Sequence, residues 1–284
     1  MVMSVKRIVL AVVVVSLPCL AQGADKAVGP EVILEPQTPG RGEIMLVTVK
    51  NAVKGVEGKF NGKKIYFNPS HDSFKAMVGI NLYAKPGKYN LALSVDGKKL
   101  RKTVVVKKKH YPLQRLTLPK DMVTLSRENA ARVRRDARKF KALWPGETKR
   151  VWAGTFMNPL EGEVRSRFGL RRIINDIPKS SHTGVDVSGD MGAEVRAPND
   201  GVAVLVDDMY YSGISLVLDH GQGIYTMFFH LSKITAKSGQ NVKKGEVVGL
   251  VGSTGRSTGP HLHWGVRMQG ARVDPVELLK LDLE

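Results

Sequence analysis

Cysteine is all but missing from this 284-residue chain, whose one copy, Cys19, lies in an apolar run at the very start. A disulfide framework is therefore excluded, and the fold must be held by its core. Long apolar runs are scarce as well. Ile8 to Leu20 is nearly unbroken, preceded by Lys6 and Arg7 and followed by the small residues of Ala21-Gln22-Gly23. That pattern reads as a secretory signal peptide over residues 1–23, too short for a comfortable membrane span. Pro18 directly before Cys19 argues against lipid attachment. No second apolar stretch is long enough to cross a bilayer, so the expectation is an exported, soluble chain without disulfides. Hydrophobic content of 42% and charged content of 25% are ordinary and exclude wholesale disorder.

Negative charge is short in one half only. The formal net charge is +18, yet residues 24–150 hold 28 Lys/Arg against 11 Asp/Glu while residues 151–284 hold 14 against 15. Such asymmetry suggests two functional units, one of them drawn to a polyanion. For an exported protein the relevant polyanions are anionic wall polymers and lipid, not nucleic acid. The plainer reading is that the excess keeps the chain soluble.

Residues 24–110 read as roughly seven short strands in about 80 residues, the pattern of an immunoglobulin-like β-sandwich. Asn61-Gly62 and Asp96-Gly97 are hairpin turns, and Tyr89, Leu91, Leu93 and Val95 alternate with small or polar residues. Residues 111–150 change character into a basic linker. Ser126 caps an amphipathic helix to about Leu143, with Val133, Ala137, Phe140 and Trp144 on one face. From Val151 to the end the pattern is again β-rich, with Gly and Pro at the turns and no helix before Pro275. The fold class expected is mainly β: a sandwich, a helical linker and a C-terminal antiparallel β-sheet domain over 151–284.

Four of the seven histidines fall in three places within that last domain. They are His182-Thr183-Gly184-Val185-Asp186, Phe228-Phe229-His230-Leu231, and His261-Leu262-His263. Side chains on a strand repeat every second residue, so His261 and His263 share a face. Two adjacent imidazoles suit a metal better than an apolar core. His182, Asp186 and one member of the H-x-H pair would give zinc three protein ligands and leave a position for water. Each piece alone is weak, since an isolated H-x-H is more often surface decoration. The weight lies in their joint occurrence, in order, among glycine turns.

Together with Ser166-Arg167-Phe168-Gly169, Val195-Arg196-Ala197-Pro198, Leu218-Asp219-His220-Gly221 and Gly252-Ser253-Thr254-Gly255, these motifs resemble the lysostaphin-type, or LytM-domain, zinc metallopeptidases, over roughly Pro159 to Leu279. The resemblance implies Zn2+ held by His182, Asp186 and His263, with His230 and His261 as the pair that handles protons. It implies a peptidoglycan endopeptidase; a signal peptide without a wall-anchor motif points to the periplasm of a Gram-negative cell, and there a D,D cross-link is the expected substrate. His220 matches no catalytic position. A non-catalytic wall-binding activator is the alternative, which the intact His230 and His261 disfavour. A further expectation is a regulator, either a separate protein or the chain's own sandwich and helix covering the site.

Overall fold

The computed structural model describes residues 29–117, 125–144, 146–178 and 180–283. The signal-peptide reading of residues 1–23 lies outside them. Alternating apolar residues place the N-terminal strands in two four-stranded antiparallel sheets. One runs Glu31–Glu35, Ile44–Lys50, Ser73–Gly79, Asn68–Ser70; the other runs Lys63–Ile65, Val56–Phe60, Gly87–Val95, Lys98–Val106. Met45, Val47 and Val49 from the first face Leu91, Leu93, Val95, Val104 and Val106 from the second, all fully or nearly fully buried in one core. Both expected hairpins form. Asn61, Gly62, Asp96 and Gly97 all have positive φ, at 47°, 81°, 51° and 83°, as a two-residue turn matched to strand twist requires.

The C-terminal half is built on a larger antiparallel sheet. Its order is Val164–Ser166, Gly184–Ser188, His261–Met268, Ile224–Leu231, Gly213–Gly221, Gly201–Met209 and Asn241–Val242, with Ala271–Val273 paired to His261–Met268. Period-two alternation gives this sheet two different faces. Leu262, Trp264, Val266 and Met268 are buried on one face with Val185, Val187 and Phe228. His261, His263 and Arg267 take the other. The sandwich docks on the first face: Ile44, Leu46, Met77 and Leu82 join the cluster that contains Met268, Ala271 and Val273. Leu82 N–H donates to the Arg272 carbonyl and Asp274 N–H to that of Gly42. The sandwich therefore does not stand over the histidines, contrary to the expectation that it helps to cover them.

The linker does border that face. Ser126 caps the helix Arg127–Leu143 by accepting from Asn129 N–H at 3.1 Å. Phe140 and Trp144 then pack edge-on against Phe229 and Tyr225, with ring centroids 5.7 and 5.1 Å apart. Asp136 is the helix's one buried residue among those described, and its carboxylate accepts the Tyr210 N–H at 2.8 Å. The sequence pattern had put only apolar residues on that face. Ahead of the helix, Leu113–Leu116 adds a strand parallel to Arg171–Ile174, which the linker's composition did not announce.

Candidate metal centre

The site lies where three strands of the large sheet run side by side. In register, Asp186 is opposite His263, and His263 is opposite Phe229. Adjacency across an antiparallel ladder thus brings residues 77 positions apart within hydrogen-bond range. His182 enters from the loop before Gly184–Ser188, fixed by a backbone exchange between Gly169 N–H and the His182 carbonyl at 2.8 Å and between His182 N–H and the Leu170 carbonyl at 2.9 Å. Gly184 leaves space for the ligand beside it: a Cβ there would sit 2.6 Å from His263 Nε2 and 2.4 Å from the Trp264 carbonyl. Phe229 stacks flat on His263, with centroids 5.3 Å apart and rings 5° from parallel.

His182 Nε2, Asp186 Oδ1 and His263 Nδ1 lie 2.8 to 3.0 Å from one another. His182 Nδ1 faces the Arg167 carbonyl at 3.0 Å. A carbonyl only accepts, so Nδ1 carries the proton and the Nε2 lone pair of the neutral ring points at a carboxylate oxygen. Nitrogen and carboxylate oxygen lie this close only with a proton or a metal cation between them. Two imidazole nitrogens and one carboxylate oxygen, partly buried, are a donor set that fits zinc. Burial alone would raise the Asp186 pKa, but hydrogen bonds and charge from His182 and His263 hold it well below the usual carboxylate range. Burial pushes the His263 pKa down, favouring the neutral form that a metal ligand needs.

His230 and His261 flank this cluster, their ring centroids 4.8 Å apart. Each holds its Nδ1 proton on a backbone carbonyl at 2.8 Å, Thr254 for His230 and Gly259 for His261. Both Nε2 atoms are thereby left free to accept or donate, and that of His261 is 3.9 Å from Asp186 Oδ1. Burial, then the neighbouring His263 and His261, lower the His230 pKa to about 4, so it is neutral at pH 7. His230 also has φ +63°, a region that non-glycine residues seldom occupy. Bonds from its N–H to Ser212 and from its ring to Thr254 hold it there.

All five residues singled out by spacing thus meet at one place. His220 does not. It is fully buried, donating from Nδ1 to the Asp200 carbonyl at 2.7 Å and accepting the Thr226 hydroxyl on Nε2 at 2.8 Å. Sequence reasoning missed Phe229, Arg267 and Arg272, which share the histidines' face. Arg267 was findable by counting in twos from His263, whereas the count from His230 leads to Phe228 on the other face.

An antiparallel β domain presenting two histidines and an aspartate to a metal, with two more histidines beside them, is the architecture of a metallohydrolase. Residues 180–275 match the model of Peptidase family M23, and the C-terminal part of this chain is a domain of that family. The DD-carboxypeptidase/endopeptidase Mpg of Neisseria meningitidis is 44% identical over 97 residues, 34% of this chain and 22% of its own length. The peptidoglycan DD-endopeptidase ShyA of Vibrio cholerae is 38% identical over 122 residues, 42% of this chain and 27% of its own. The chain thus spans about a quarter of the length of these curated relatives. A crystal structure from Pseudomonas aeruginosa assigned to peptidase M23 superposes with a TM-score of 0.70 and 29% identity, covering 85% of this chain and 95% of that one. A match of that extent takes in strands of the N-terminal half as well as the C-terminal domain.

Proposed function

We propose that this protein is a zinc-dependent endopeptidase that hydrolyses D,D peptide cross-links of peptidoglycan. The observation that carries the reading is the convergence of His182, Asp186 and His263 on one point, with His230 and His261 alongside. His182 Nε2, Asp186 and His263 Nδ1 would hold the zinc. When bound there, zinc makes water acidic enough to attack near neutral pH and polarises a peptide carbonyl. The chain's own part is proton traffic. His230 and His261 are each fixed by a carbonyl at Nδ1, so they present Nε2 to the reacting groups, one to take a proton and one to donate to the oxyanion or the leaving amine. Phe229 stacked on His263 and the buried Trp264 beneath it keep the centre rigid and shielded from bulk water.

The substrate assignment rests on the names of the relatives, DD-endopeptidases of peptidoglycan. A signal peptide over residues 1–23 and a periplasmic location accord with it. No helix among the described residues is long and apolar enough to cross a membrane. The basic half would hold the enzyme on anionic wall polymer. On the sandwich's outer face Lys59 and Arg101 flank Ala92 in register, and Lys99 adds a further exposed cation one row away.

The direct test is metal restoration on a cross-linked stem-peptide dimer. The chain lacking residues 1–23 should bind one equivalent of zinc and release monomers, lose both after chelation, and regain both when zinc returns. His182→Ala should do neither. Cleavage that survives complete removal of metal would overturn the assignment.

A further inference from the structure

Between the helix Arg127–Leu143 and the large sheet lies a cleft of about 330 Å³ whose lining includes His263. Lys141, Arg267 and Arg272 line it, and no Asp or Glu does. Arg267 and Arg272 sit directly opposite each other across the antiparallel ladder. Like charges in that position repel, and burial adds to the cost. Arg267 Nε is buried without a hydrogen-bond partner, and its guanidinium lies over the Trp144 ring at 4.5 Å. Arg272 Nη1 donates to Thr183 Oγ1 at 2.9 Å, which brings its head beside the residue that follows His182. Among the described residues, no carboxylate forms an ion pair with any of the three cations.

Three cations converging on one cleft next to a metal centre, with a buried donor left open, lack an anion. We infer that the cleft is a carboxylate subsite in which Arg267 and Arg272, with Lys141 facing them from the helix, receive a free carboxylate of the peptide flanking the scissile bond. The inference rests on the endopeptidase reading and deepens it. In a D-alanyl–diaminopimelate cross-link, the carbon that bears the scissile nitrogen also bears a free carboxylate. A guanidinium fork matches that group in geometry as well as charge. Trp144 holds the Arg267 plane, and Thr183 couples the Arg272 head to the loop that carries His182. The subsite would therefore position the substrate along the strand that runs from His263 to Arg267, over the Met227 side chain that covers Gly265. Arg267, Arg272 and Lys141 are specificity and positioning residues in this account. They take no part in proton transfer.

The test uses two cross-linked stem-peptide dimers that differ only in whether the diaminopimelate carboxylate is free or amidated. Binding to the chelator-treated chain lacking residues 1–23 is measured by calorimetry, so neither turnover nor metal ligation contributes. The free form should bind about tenfold more tightly, as hydrogen bonds to a charged group typically provide. Arg267→Gln and Arg272→Gln should each shrink that preference to less than about threefold, whereas Arg267→Lys should keep part of it. Melting curves on the variants separate a lost subsite from a lost fold, and Lys141→Gln, on the helix surface, serves as the variant least exposed to that problem. Equal affinity for the two dimers, or no measurable binding of either, would overturn the inference. In a parallel zinc-loaded assay, equal cleavage of both dimers would also overturn it while leaving the endopeptidase reading intact. Discriminating binding with no cleavage of either would instead remove the endopeptidase reading and leave a carboxylate-binding cleft.

Discussion

Two buried imidazoles of this protein, His220 and His230, both have pKa values near 4, yet their surroundings assign them different work. His220 has a partner on each ring nitrogen and packs edge-on against Phe156. It is a structural residue that spends its hydrogen bonds internally. His230 has one nitrogen anchored and the other open beside His261. The lowered pKa of His220 has a consequence for stability. His220 is lowered from 6.5 to about 4 by burial, so between those pH values the unfolded chain binds the extra proton and the folded chain does not. Its contribution is complete above pH 6.5 and is lost as pH falls toward 4, on the order of 3 kcal/mol in total. Denaturant unfolding at pH 7.5 and pH 5 should show this fall, and His220→Gln should flatten part of it. An unchanged pH slope in that variant would refute the assignment. The five site residues were legible because three histidine-bearing motifs occur together, in order, among the glycine turns of one β domain. The arginine pair was not, since arginines on a strand are common and their pairing depends on a register that no local pattern states.

At the scale of elements, the helix Arg127–Leu143 shows both the reach and the limit of sequence reading. Its N-cap at Ser126 and its end at Leu143 were evident from capping chemistry and apolar spacing. Its buried Asp136 was not. A carboxylate on the docking face contradicts amphipathic patterning, and only the tertiary structure supplies its partner, the Tyr210 N–H. The bond ties the helix to the turn that follows Gly201–Met209, and Arg132 and Lys139 pair with Asp208 and Asp207 in the last residues of that strand. Replacing Asp136 by alanine leaves that N–H buried without an acceptor, a loss of about 1–3 kcal/mol. Hydrogen exchange in the helix and at Tyr210 should quicken while the sandwich core is unaffected. Unaltered exchange at Tyr210 would mean the contact is incidental. The parallel strand Leu113–Leu116 escaped prediction for a similar reason: its apolar pattern is too short to signal, and it forms by pairing with Arg171–Ile174 rather than from its own propensity.

Across the whole molecule, the sandwich and the metal domain are joined by a shared apolar core. Ile44, Leu46, Met77 and Leu82 bury the face of the large sheet opposite the histidines. The two-unit charge asymmetry was readable from composition; the fused core was not, because each half on its own shows a complete β pattern. A fragment comprising residues 151–284 should therefore expose Met268, Ala271 and Val273 to water. It is expected to melt well below the longer chain and to self-associate, which calorimetry and light scattering would detect. A fragment as stable and monodisperse as the longer chain would show that the two halves merely touch. The most direct measurement is digestion of purified sacculi by the zinc-loaded chain lacking residues 1–23, beside His263→Ala and a chelated sample, with products identified by mass spectrometry. Loss of cross-linked dimers and gain of monomers by the metal-loaded chain alone is the predicted result. Intact dimers in all three samples, with zinc demonstrably bound to the first, would contradict it.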